Sequence, residues 1–121
     1  MIALLLTLLT LQQVRVEAVV DRDRVMMGGA VTLTITVEAS GNEPVQILTP
    51  STVGLEILGT TDQSDVSINE GIATRVLTRT LRLRANAAGA ARIGATTVRT
   101  GESIAQTDPI EVLVDADDDP G

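Results

Sequence analysis

The 121-residue chain predicts an all-β fold, an antiparallel β-sandwich of seven to nine short strands, and three observations lead there. Apolar and polar residues alternate along several short runs, the period of a strand with one buried face. Turn signals built from Gly, Asn, Asp and Pro recur at intervals of roughly ten residues. No stretch carries the 3.6-residue apolar period of a helix.

Val14, Val16, Ala18 and Val20 alternate with Arg15, Glu17, Val19 and Asp21, predicting a first strand that ends at Asp21. Asp21-Arg22-Asp23-Arg24 is a polar turn, Val25-Met26-Met27 a short extended piece, and Gly28-Gly29 a tight connection. The clearest strand covers Ala30 to Glu38, with Val31, Leu33, Ile35 and Val37 on one face and Thr32, Thr34, Thr36 and Glu38 on the other. Its β-branched residues suit a pleated surface and disfavour a helix. Ser40-Gly41-Asn42-Glu43-Pro44 interrupts the chain before a short strand at Val45-Gln46-Ile47, which Pro50-Ser51 closes.

Leu55 to Leu58, after Gly54, and Asp62 to Asn69, with Val66 and Ile68 in alternation, read as two further segments. Asn69-Glu70-Gly71 is a hairpin turn into the longest candidate, Ile72 to Arg84. There Leu77, Leu81 and Leu83 share a parity with Arg79, so either Arg79 lies near the sandwich rim or a bulge shifts the register. Past Asn86-Ala87-Ala88-Gly89, short strands are expected at Ala90 to Gly94 and Thr96 to Thr100, then a turn at Gly101-Glu102. The last strand turns Ile110, Val112 and Val114 inward against Glu111 and Leu113. Leu, Ile and Val fill the core unaided, because the chain has no Phe, Tyr or Trp.

Composition removes much chemistry. Without His, Cys or Lys, the chain lacks the defining residues of His or Cys zinc sites, Ser-His-Asp and Cys-His nucleophile systems, Schiff-base lysines and disulfides. Nine Arg against sixteen Asp or Glu give a net charge of -7, which repels phosphate backbones and anionic membrane surfaces. Absence of aromatics also removes the platforms on which bases and many sugars stack. No nucleic acid, small-molecule substrate, cofactor or metal is expected, and no enzymatic activity.

Ile2 to Leu11 is a ten-residue uncharged apolar run, the length of a signal-peptide h-region and too short for a bilayer span. Residues 1–13 are read as a signal peptide cut near Gln12 or Gln13, which preserves the first strand; a buried terminal segment is the other reading. The mature domain is then 14–114. Asp115, Asp117, Asp118 and Asp119 make 115–121 an acidic, self-repelling tail expected to be disordered.

Several segments, in order, carry a resemblance: Val19-Val20-Asp21-Arg22-Asp23-Arg24-Val25, Gly29 to Val37, Gly41-Asn42-Glu43-Pro44-Val45 and Gly54 to Gly59. Thr80 to Arg84 with Ala88-Gly89, Ile93 with Ala95 to Val98, and Asp108-Pro109-Ile110-Glu111-Val112 continue the series. Over roughly residues 18 to 114 the chain resembles the N-terminal domain of the BatD, or oxygen-tolerance (aerotolerance), family. The resemblance implies an immunoglobulin-like domain of an exported protein in the periplasm or on the outer face of the inner membrane. It also implies protein interaction without catalysis, in aerotolerance or envelope stress response, beside MoxR-type ATPases and von Willebrand factor A proteins. The family pattern continues into further domains and a membrane anchor, where this sequence has its acidic tail. A structural or adhesive domain pairing through sheet edges is the alternative.

Candidate residues are few. Asp21 and Asp23, with the tail aspartates, are weighed as a calcium site and read as a solvated turn pairing with Arg22 and Arg24. Glu38, Glu43, Glu56 and Glu70 are the carboxylates for a glycosidase pair, a reading that needs two of them across a sugar cleft. Gly28-Gly29 precedes a strand and not a helix, so it lacks a phosphate-binding dipole. Arg75, Arg79, Arg82, Arg84, Arg92 and Arg99 are the one charge asymmetry, read either as a basic face or as scattered exterior residues. The Thr32, Thr34, Thr36 row is weighed as an outward sheet face used in docking and read as an ordinary solvated face. No partner-binding residue is assigned.

Overall fold

Alternation is realised most fully in the middle of the chain. A computed structural model describes residues 14–41, 43–101 and 103–116; the expected leader over 1–13 and residues 117–121 of the acidic tail lie outside them. The described residues form β1 (Val14–Val20), β2 (Arg24–Met26), β3 (Ala30–Ser40), β4 (Val45–Leu48), β5 (Thr52–Val53) and β6 (Leu55–Asn69). They continue with β7 (Ile72–Ala85), β8 (Gly89–Ile93), β9 (Thr97–Thr100), β10 (Ser103–Gln106) and β11 (Ile110–Asp115).

The first layer is one sheet in the order β1-β3-β7-β6, all antiparallel. In its centre Val31, Leu33, Ile35 and Val37 are wholly buried, and Leu81, Leu83 and Ala85 of β7 lie on the same face. The second layer consists of the sheets β10-β9-β4 and β2-β11-β8-β5. β4 leads to β5, β9 follows β8, and β11 follows β10, each across three residues, so the two sheets are one layer creased at 49–51, 94–96 and 107–109. Gly94 N–H donates to Ser51 O at 2.7 Å, while Thr96 N–H donates to Thr107 Oγ1 at 2.9 Å and Thr107 N–H to Thr96 O at 3.0 Å. These bonds satisfy the backbone where the ladder is interrupted.

Val25, Ala91, Ile93, Val98, Val112 and Val114 face the first layer and share one core with it. The architecture is an all-β, immunoglobulin-like sandwich. Each fully buried Leu or Ile contributes about 1.5–3 kcal/mol, and no aromatic shares the task.

Four details differ from the sequence reading. The eleven strands among the described residues exceed the expected seven to nine because β5 and β10 are short and weakly patterned. The segments 55–58 and 62–69 are one strand, β6, bulged between Ile57 and Gly59. β2 pairs with β11 in parallel, the one parallel pair among the described strands. Asp115, assigned to the tail, is the last residue of β11, held there because Met27 N–H donates to its carbonyl at 2.9 Å.

Thr96 at the crease is wholly buried, and its Oγ1 has no hydrogen-bond partner among the described residues. An unpaired buried hydroxyl costs free energy that an isosteric methyl does not. Thr96→Val should therefore raise the unfolding free energy by about 1 kcal/mol, read from the shift of the urea midpoint at unchanged slope.

Candidate functional site

The two layers part along one side, where β6 ends the first sheet and β4 ends the second. Between them is a cleft of about 270 Å³, with Val45, Ile47 and Leu77 as its apolar wall and Asp62, Ser64 and Arg79 as its polar one. Arg79 decides its character. The β3–β7 register runs unbroken from Ala30↔Arg84 to Ser40↔Thr74, so Arg79 keeps the core-facing parity of Leu77 and Leu81. The bulge lies on β6 instead, and the rim reading of Arg79 is the one the structure adopts.

The Arg79 side chain is 22% exposed and stretches across the cleft. Its Nε donates to Asp62 Oδ1 at 2.8 Å and its Nη2 to Asp62 Oδ2 at 3.1 Å, a bidentate pair between directly opposed residues of β6 and β7. Its Nη1 donates to the Ile47 carbonyl at 3.1 Å. Two turns of the pleat away, Arg75 Nη2 donates to the Glu43 carbonyl. Two guanidinium groups from the first layer therefore cover the Ile47 carbonyl on β4 and the Glu43 carbonyl just before it. That occupancy blocks another strand from pairing there.

A hydrogen bond from Arg79 holds the Asp62 carboxyl below the usual carboxylate range, and one from Arg24 does the same to Asp115. Arg24 meets Asp115 in a second bidentate pair, 2.9 and 3.0 Å, across β2 and β11. Both carboxylates have folded-state values depressed from 3.8, so their contribution to stability is present above about pH 4 and is lost as pH falls through the lowered values. The thermal midpoint should fall as pH drops below about 4, and Asp62→Asn combined with Asp115→Asn should flatten that fall. At neutral pH Asp62 is a charged acceptor, unsuited to donate a proton.

The other candidates are not assembled into a site. Asp21 Oδ1 accepts from Thr32 N–H at 2.9 Å and its other oxygen lies 3.7 Å from Arg22, while Asp23 accepts through its backbone carbonyl from Leu113 N–H at 2.9 Å. Among the described residues no cluster of three or more His, Cys, Asp or Glu could hold a metal. Glu38 lies late in β3, Glu43 before β4, Glu56 at the start of β6 beside Arg84, and Glu70 in the turn at the far end of the hairpin.

The basic face does not form. Arg82 and Arg84 lie on the outer face of the first layer, Arg92 and Arg99 alternate with buried residues and point outward from the second, and Arg75 and Arg79 lie between. Strand alternation is the reason: six arginines on three strands in two layers cannot share a side. Thr32, Thr34 and Thr36 are half-buried, flanked by β1 and β7. Sequence reasoning missed the partnership of Asp62 with Arg79. The signal was an arginine at a core parity, which demands a carboxylate or carbonyl in reach.

No described helix is long and apolar enough to cross a membrane. No curated protein matches the chain. Among solved structures the chain is similar to a non-cellulosomal cohesin from the hyperthermophilic archaeon Archaeoglobus fulgidus, at 10% identity and a TM-score of 0.40, over 84% of this chain and 86% of that one. The family described as "BatD DUF11 like domain" matches residues 18–114, from the middle of β1 to the penultimate residue of β11. Because that match takes in nearly the whole sandwich, from its first edge strand to its last strand, the chain belongs to the BatD family.

Proposed function

We propose that this chain is a non-catalytic protein-interaction module of the cell envelope, exported by its apolar N-terminal run and working with membrane proteins that carry von Willebrand factor A domains. The observation that carries the reading is the family match over residues 18–114. It is supported by the uncharged run from Ile2 to Leu11, and by a cleft whose one pocket carboxylate is committed to Arg79. A role in aerotolerance or envelope stress response follows the family. The second reading, a structural or adhesive domain associating through sheet edges, draws on the fifteen-residue edge strand β6.

The test is in-cell crosslinking of the full chain in its native host, with fractionation and mass spectrometry of the products. Recovery outside the cytoplasm, joined to von Willebrand factor A proteins, is the expected result. Retention in the cytoplasm with Met1 intact would remove the envelope assignment. Crosslinks to further copies of the chain alone would give the lead to the structural reading.

A further inference from the structure

Three sheets leave six edge strands among the described residues: β1, β6, β10, β4, β2 and β5. β2, β5 and β10 have three, two and four residues, too few for extended pairing. β4 has four residues, and Arg79 covers its Ile47 carbonyl while Arg75 covers that of Glu43 just before it. β1 has seven residues and alternates Arg15 and Glu17 on its outer face. Short length and charge are the ordinary ways an edge is protected. β6 has fifteen residues, no Pro, Lys or Arg, and Val66 and Ile68 exposed at 63% and 74%.

The backbone groups that β6 offers follow from the turn beyond it. Glu70 and Gly71 both have positive φ, 54° and 80°, the two-residue turn that makes Asn69 and Ile72 a hydrogen-bonded pair. Alternation then points the N–H and C=O of Ile68, Val66, Ser64, Asp62 and Thr60 away from β7. Gly41 N–H donates to the carbonyl of Ala73, the residue opposite Ile68, which confirms that this pair is not hydrogen-bonded within the hairpin. Below Thr60 the bulge at Leu58 ends the regular edge. The open stretch from residue 60 to 68 is about 30 Å long.

Charge selects the occupant. β6 carries Glu56, Asp62 and Asp65 and no cation, within a chain of net charge -7. A second copy paired antiparallel about Ser64 would set Asp62 against Val66 and Asp65 against Gln63, offering no cation to either carboxylate, and would bring together two chains of net charge -7 that repel each other. We infer that β6 is a strand-addition site for an extended, cationic segment of a partner protein, which pairs with the outward backbone groups of residues 60–68 and places Arg or Lys beside Asp65. This rests on the interaction-module reading and supplies its surface.

The probe is a blocked thirteen-residue peptide of alternating Arg and Val, added to the labelled full chain and followed by amide hydrogen exchange. Two controls accompany it: the same peptide with Glu for Arg, and one alternating Arg with Pro, equally charged and unable to pair as a strand. Exchange at Thr60, Asp62, Ser64, Val66 and Ile68 should slow about tenfold with the Arg-Val peptide alone.

Ser64→Pro removes an outward N–H without touching the β6–β7 ladder, and should abolish that protection in a folded protein. Asp65→Lys should weaken it about threefold. Protection centred on another edge, equal protection by either control, or indifference of the folded Ser64→Pro chain would overturn the inference. The two readings separate in the envelope. Crosslinks to von Willebrand factor A proteins that persist with Ser64→Pro keep the module and remove β6. Peptide pairing at β6 without any envelope partner keeps β6 and removes the module.

Discussion

Replacing Leu33 by Ala should lower the unfolding free energy by about 2–5 kcal/mol. Leu33 is wholly buried on the central strand β3, opposite Val20 of β1 on one side and Leu81 of β7 on the other. Its loss removes apolar burial and opens a cavity against Ile35 and Leu81, whose aliphatic side chains are anchored to paired strands and relax little. A domain of this size has about 5–15 kcal/mol in all, and a chain without Cys draws on no disulfide. Urea unfolding monitored by far-ultraviolet circular dichroism reads the change. Leu33→Ile should cost less than about 1.5 kcal/mol, and Val19→Ala, at a half-exposed site, should stay within about 0.5 kcal/mol.

Gly29→Ala should cost about 1–3 kcal/mol through overpacking. A Cβ at Gly29 would stand 2.6 Å from Val25 Cγ2 and 2.9 Å from the Met26 carbonyl oxygen. That carbonyl cannot withdraw easily, since Gly29 N–H donates to it at 2.8 Å. The neighbouring backbone is equally committed: Gly28 N–H donates to Ala85 O at 2.8 Å and Ala85 N–H to Gly29 O at 2.9 Å, tying the turn to the end of β7. Damage should concentrate in β2, with faster amide exchange at Leu113 and Met27, whose N–H groups bond to Asp23 O and Asp115 O. Gly71→Ala is the comparison. Its φ of 80° imposes strain but the added methyl meets open space, so a cost of about 1 kcal/mol separates backbone strain from crowding.

What the sequence disclosed followed the strength of the alternation. β3, with four aliphatics at strict period two and threonines between them, was legible residue by residue, as were β1, the Asn69-Glu70-Gly71 turn and the inward set of β11. β10 was not, because Ile104 is its lone large apolar residue and faces solvent. Gly59-Thr60-Thr61 has the composition of a connection, yet hydrogen bonding to β7 carries β6 through it. The Arg79–Asp62 pair was hidden for a different reason. It depends on the register between two strands offset by the bulge, and register is a property of paired chains that one strand's pattern does not contain. The parallel meeting of β2 with β11 was equally invisible, since it joins the two ends of the domain.

That meeting also governs how the domain assembles in time. The β6–β7 hairpin closes over two residues and can form in microseconds, whereas Arg24 and Asp115 are 91 positions apart. A chain made from its N-terminus presents β2 early and supplies β11 after every other described strand. Until β11 arrives, Val25 has no strand beside it and the core is open at that end. Closing the core at that end therefore requires the capture of an early strand by a late one, and it waits on the arrival of nearly the whole domain.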